Sequence, residues 1–200
     1  MTTLRNLLLL TLVMLAGVAL AFYLRPQPVE QRIALGEKLG GDFILQSQQG
    51  ELKLEDYRGK VVLFFIGYAS CPDVCPTALA VAAQGLKDLT PAQQENVAGI
   101  FMSVDPDRDS PEKLEKYASY FHPNFHGATA DRETIDKVVK QYGAFYRMVE
   151  LKDSALGYAV DHSSRLYLID QNGKLSKALN HALTPIELTK EIQALLSEET

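Results

Sequence analysis

An α/β fold, a mixed sheet flanked by helices and preceded by an N-terminal membrane segment, is predicted by three features of the sequence. The run "KVVLFFIGY" at 60–68 is continuously apolar and rich in β-branched and aromatic residues, as a strand covered on both faces must be. A helical pattern follows it, and then a second buried strand, "VAGIFMSVD" at 97–105; parallel neighbours need such a crossover. Ahead of both, "LLLLTLVMLAGVALAFYL" at 7–24 carries no charged side chain.

The elements follow in chain order. Residues 1–6 are a short flank. The eighteen positions 7–24, bounded by Arg5 and Arg25, fall within the range of about 17–25 residues that a helical span needs. Phe22 and Tyr23 suit an interfacial position. We read the segment as a transmembrane signal anchor; Ala19-Leu20-Ala21 has the small-x-small form of a cleavage site, so a cleaved export signal is the alternative. Arg5 forms the positive flank of a short leader, which places the remainder outside the cytoplasm, at the periplasmic face of a bacterium or its equivalent in the mitochondrial intermembrane space. Residues 25–40, with Pro26, Pro28, Gly36 and Gly40, read as a tether, and 41–200 as one domain.

Within that domain, apolar runs at 43–45 and 52–54 flank the polar turn "QSQQGE" and form a hairpin. After strand 60–68 and Pro76, the residues Leu79, Ala82, Ala83, Leu86 and Leu89 recur at helical spacing until Thr90-Pro91. Ser110-Pro111 starts a helix in which Leu114, Tyr117, Ala118 and Phe121 share a face. Asp131 caps a third helix that turns Ile135, Val138, Val139, Tyr142 and Tyr146 inward. "RLYLID" at 165–170 is a strand, Asn172-Gly173 a hairpin turn into "KLSKAL", and Thr184-Pro185-Ile186-Glu187 a capping box opening a final helix through Leu196. This order suits a thioredoxin-like fold.

A chain of 200 residues, 46 % of them hydrophobic, can bury one core of ordinary domain size. The formal charge of -5, spread along the chain, lacks the basic footprint of a nucleic-acid binder, and that class is set aside.

The chemistry concentrates in "GYASCPDVCPTALA" at 67–80, which holds both cysteines of the chain. Each precedes a proline, and a residue before proline is pushed out of the α region. Cys71 then belongs to the loop leaving the strand, and Cys75 is placed as the helix N-cap with Pro76 at the first helical position. The positive end of the helix favours thiolate over thiol, so one or both thiol pKa values fall below about 8.5. Three uses are open: a structural disulfide, a redox couple, or half of a metal site. A loop this short removes little entropy from the unfolded chain, which argues against a purely structural bridge.

A metal needs further ligands, and the candidates are His122, His126, His162 and His181. Taken alone, each is an ordinary surface or satisfied polar residue. His162 has the best context, because "AVDHSSRLYLID" sets it on the approach to a strand that can return to the loop after strand 60–68. His122 follows a helix at a His-Pro stop, and His126 and His181 read as turn residues. Two soft thiolates select Cu(I), and an imidazole is compatible with Cu(I) and Cu(II); zinc with an open position is the competing metal.

The stretch "GDFILQSQQGELKLEDYRGKVVLFFIGYASCPDVCPTAL" resembles the signature region of the Sco/SenC family of copper-delivering proteins of cytochrome c oxidase assembly. "SVDPDRDSPEKL" and "DHSSRLYLIDQNG" resemble its other two hallmark segments, so the likeness covers roughly residues 40–196. Ala69 departs from the Thr that is common there. The resemblance implies a membrane-tethered thioredoxin-like domain holding one copper per chain through Cys71, Cys75 and His162. It implies a metallochaperone whose partners are the oxidase subunit with the dinuclear copper site, an upstream copper donor or thiol reductant, and the membrane through residues 7–24.

The rival is a thiol-disulfide oxidoreductase that keeps the oxidase copper-site cysteines reduced, with Cys71 attacking and Cys75 resolving. A copper or redox sensor is a further alternative, and a peroxide reductase is disfavoured by Tyr68, where a Thr is usual. The loop "DPDRDSPE" at 105–112 reads first as a solvated acidic turn and second as a docking or site-shaping loop, with Asp105 and Arg108 as its candidates.

Overall fold

A computed structural model describes residues 2–25, 32, 38–151, 157–180 and 183–197. Helix α1 (Thr2–Tyr23) precedes strands β1 (Ile44–Ser47) and β2 (Gly50–Lys53), a 3-10 turn (Leu54–Tyr57) and β3 (Val61–Gly67). Then come α2 (Val74–Lys87), α3 (Pro91–Glu95), β4 (Val97–Ser103), α4 (Pro111–Phe121), β5 (Phe125–Thr129) and α5 (Arg132–Gln141). Strands β6 (Tyr146–Glu150), β7 (Tyr158–His162), β8 (Arg165–Ile169) and β9 (Leu175–Asn180) and helix α6 (Pro185–Ser197) follow among the described residues.

Seven strands form one mixed sheet in the order β2-β1-β5-β4-β3-β8-β9. The pairs β3–β4 and β4–β5 are parallel, and β3–β8 is antiparallel. Every residue of β3 and β4 is buried, as their unbroken apolar runs require. On one face Phe64 of β3 stacks against Phe43, 4.8 Å between centroids, and meets Tyr142 edge-on, also at 4.8 Å. On the other, Leu63 and Phe65 face Leu79 and Ala82 of α2. Both faces are therefore covered, and the C-terminal end of β3 is left to open into the loop that carries the cysteines.

Several expectations change. The third helix ends at Gln141, with Tyr142 as its C-cap, so Tyr146 is not on it but begins β6; Gly143, at φ 63°, takes the chain out of the helix. The helix begun near Pro76 stops at Lys87, and Thr90 instead caps the short α3 through a capping box with Gln93. Strand 97–105 ends at Ser103. His126 lies in strand β5, which pairs in parallel with β4, and not in a turn.

Helix α1 forms where the apolar segment predicts a span, and its leucines from Leu7 to Leu20 are exposed. Among the described residues, however, no helix is long and apolar enough to cross a membrane. Most of the tether predicted at 25–40 and all of His181 lie outside the described residues.

Candidate metal centre

Strand β3 ends on Gly67, and the missing side chain makes the site. A Cβ there would lie 2.6 Å from Cys75 Sγ and 3.1 Å from the rings of Phe65 and Phe101. The loop that follows turns on a hydrogen bond from Cys71 N–H to the Tyr68 carbonyl, 3.2 Å. The N-cap of α2 is Asp73 and not Cys75, so Cys75 is the second helical residue and Pro76 the third. Proline is tolerated there because the first N–H groups of a helix have no intrahelical acceptor to lose. Cys75 is thereby carried inward, fully buried, while Cys71 stays half-buried at the rim, and both thiols are free.

His162 arrives from the other half of the chain as the last residue of β7, which pairs with β6 in a separate two-stranded sheet. Its Nε2 lies 3.3 Å from Cys75 Sγ. Its Nδ1 lies 3.0 Å from the Ser163 carbonyl. A carbonyl only accepts, so Nδ1 carries the proton and the Nε2 lone pair faces the sulfurs. The rings of Tyr68 and Phe65 meet the imidazole edge-on at 5.7 and 6.3 Å and fix its plane. The ligand atoms of Cys71, Cys75 and His162 all lie within 4.8 Å of one another.

The two thiols titrate as a pair with their pKa values pushed apart. The Cys75 thiol donates to the Cys71 sulfur and lowers its pKa to about 3, against the cost of burial and with help from the backbone N–H groups of Asp73 and Cys75. The same hydrogen bond, together with burial, raises that of Cys75. At neutral pH the pair carries one negative charge, on the outer sulfur. An imidazole lone pair, a thiolate and a thiol that a metal can deprotonate make a soft donor set of two sulfurs and one nitrogen, suited to copper.

All three residues predicted to meet do meet. Two further histidines among the described residues take structural parts: His122 is buried and accepts the Asn124 N–H at Nδ1, 3.1 Å, and His126 Nδ1 lies 3.3 Å from Glu115 Oε1. The acidic loop is not a solvated turn, because Asp105 and Asp109 are both buried. Asp109 and Tyr158 touch the site's supports but were not singled out by the sequence. For Asp109 the readable signal was a third aspartate, four positions after Asp105, in a proline-bounded loop; Tyr158 offers none, because its partner is 53 residues away.

Comparison with known proteins agrees with this geometry. The profile of the SCO1/SenC family matches residues 31–197. The SCO2-like protein of Rickettsia felis is 36 % identical over 152 residues, which is 76 % of this chain and 74 % of its own. The copper-bound structure of ScoI from Bradyrhizobium japonicum superposes with a TM-score of 0.70 at 35 % identity, covering 79 % of this chain and 99 % of its own. BsSco, a member of the Sco family of cytochrome c oxidase assembly proteins in which a disulfide switch was identified, superposes at 0.62 with 25 % identity, covering 80 % and 95 %. With its thioredoxin-like fold and a family match spanning most of its length, this chain belongs to the SCO1/SenC family.

Proposed function

We propose that this protein is a copper metallochaperone, anchored by residues 7–24 with its domain outside the cytoplasm, that delivers copper to the dinuclear copper site of a cytochrome c oxidase subunit. The observation that carries the reading is the convergence of Cys71, Cys75 and His162 within 4.8 Å. Copper is cargo here, one ion per chain, received from an upstream donor. Two sulfurs and one imidazole hold Cu(I), and the half-exposed Cys71 gives an acceptor thiolate a point of entry for ligand exchange. The copper-bound relative from Bradyrhizobium japonicum and the oxidase-assembly relative BsSco support this reading.

A second reading has its own support in the Cys71 thiolate beside a buried thiol. As a reductase, Cys71 would attack a target disulfide and release one target thiolate. Cys75 would then attack the mixed disulfide, leaving the target dithiol and a Cys71–Cys75 disulfide, with two electrons passed.

The deciding experiment compares His162→Ala with Cys71→Ser. With His162→Ala both sulfurs remain, so reduction of a test disulfide persists, while Cu(II) affinity falls more than Cu(I) affinity and the oxidase copper centre is not assembled. Normal oxidase activity with His162→Ala, alongside its loss with Cys71→Ser, would establish the reductase role instead.

A further inference from the structure

The two halves of the centre come from elements far apart in the chain, and the loop after β4 touches both. On the cysteine side, Asp109 Oδ2 accepts the Ala69 N–H at 2.8 Å and the Ser103 hydroxyl at 2.6 Å, and Oδ1 accepts from Lys113 Nζ at 2.8 Å. On the histidine side, Asp105 Oδ1 accepts the Tyr158 hydroxyl at 2.7 Å, and Asp105 Oδ2 accepts from Arg108 Nε at 2.5 Å. Arg108 also donates to the Tyr158 carbonyl at 2.9 Å and lies 3.7 Å over the Tyr158 ring. Tyr158 is the first residue of β7, and His162 the last. The two carboxylates are joined by a tight backbone turn, Asp109 N–H to the Asp105 carbonyl at 3.0 Å.

Both aspartate side chains are fully buried. Buried ion pairs contribute little net stability compared with apolar packing, but they fix geometry because each carboxylate has defined partners. We propose that Asp105 and Asp109 act as a two-armed clamp that holds the imidazole and thiolate halves of the copper site in register. Tyr158 and Arg108 are the positioning residues on the histidine arm, and Ala69 N–H is the contact on the cysteine arm. The clamp rests on the copper reading above and deepens it.

The arms predict separable effects. Tyr158→Phe removes one hydroxyl from a buried carboxylate and leaves ring, strand and thiols in place. In the full chain in detergent, Cu(II) affinity is expected to fall about tenfold, the scale of one hydrogen bond to a charged group. The thiolate-to-Cu(II) absorption band is expected to shift with Cu(I) affinity within error of the wild type, while the melting temperature falls by the few degrees that a lost hydrogen bond to a buried carboxylate costs. In a His162→Ala background Tyr158→Phe is expected to add nothing. Asp109→Asn, on the other arm, is expected to weaken Cu(I) and slow alkylation of Cys71. Equal losses of Cu(I) and Cu(II) affinity that track a lowered melting temperature in both variants would reduce the clamp to a stability element and overturn it. An unchanged band and Cu(II) affinity in Tyr158→Phe would overturn it too, with copper binding itself intact. Wild-type protein that takes up neither Cu(I) nor Cu(II) would sink the copper function and the clamp together.

Discussion

Cys71 and Cys75 are four positions apart and chemically unlike, because one is at the rim and the other beneath Gly67. Their shared hydrogen bond puts the charge on Cys71, whose pKa is lowered to about 3. A depressed pKa means the reactive thiolate is present throughout the range above that value and is lost only as the pH falls through it. The alkylation rate of Cys71 by iodoacetamide is therefore expected to be nearly flat from pH 5 to pH 8. An ordinary thiol of pKa about 8.5 would gain close to three orders of magnitude over that interval. A steep rise with a midpoint near pH 8, measured by mass spectrometry of the modified residue, would show that the Cys75 hydrogen bond is not made. That Cys71, Cys75 and His162 would come together was legible chiefly through the resemblance of three segments to the Sco/SenC family; the residues alone left a disulfide, a redox couple and a metal site open and gave His162 only the best context among four histidines. The helix start was not: the rule that a residue before proline avoids the α region placed Cys75 at the N-cap. The helix instead begins at Val74 and accepts Pro76 in its first turn.

At the scale of elements, the long apolar strands, the capped helices and the short hairpin of β1 and β2 could be read, and β5, β6 and β7 could not. Strands β3 and β4 announce themselves by continuous burial, and Ser110, Asp131 and Thr184 cap helices where they stand. Strand β5, "FHGAT", is too short and too mixed to show a period, and β6 and β7 show no strict alternation of buried and exposed positions. The glycine in β5 has a role no periodicity reports. A Cβ on Gly127 would lie 2.1 Å from the backbone carbon and oxygen of Leu114, so α4 sits directly on the strand there. The Gly127 N–H also donates to Glu115 Oε2 at 3.0 Å. Gly127→Ala must lift the helix and is expected to cost about 3 kcal/mol, the upper part of the range for overpacked cores. Urea unfolding measures it, and a loss below about 1 kcal/mol would mean that α4 can slide without penalty.

At the scale of the whole molecule, the domain closes its own start. Gly40 N–H donates to the Gln141 carbonyl at 2.9 Å, and the Tyr142 hydroxyl donates to the Gly41 carbonyl at 3.0 Å. Gly40, at φ 83°, passes so close to β9 that a Cβ would lie 2.5 Å from that of Leu175. A chain shortened to begin at Lys38 keeps these contacts and Leu39, which packs on the core, and is expected to be soluble, monomeric and able to bind one copper. Aggregation of that shortened chain on size-exclusion chromatography would place the start of the domain elsewhere. Within the domain, the cysteines follow β3, an interior strand of a seven-stranded sheet, and the histidine ends a strand of a separate two-stranded one. These two bodies are expected to fall in different classes of hydrogen exchange, since a small two-stranded sheet opens locally while a covered interior strand exchanges only on global unfolding. An ion held by all three ligands ties one class to the other. On loading, the amides of Tyr158–His162 are expected to slow toward those of Val61–Gly67, whose own rates stay fixed; equal rates with and without metal would mean that the imidazole is not engaged. The loaded and empty forms would then differ less in shape than in the stiffness of one hairpin, and a receiving protein that grips that hairpin could sense whether there is cargo to take.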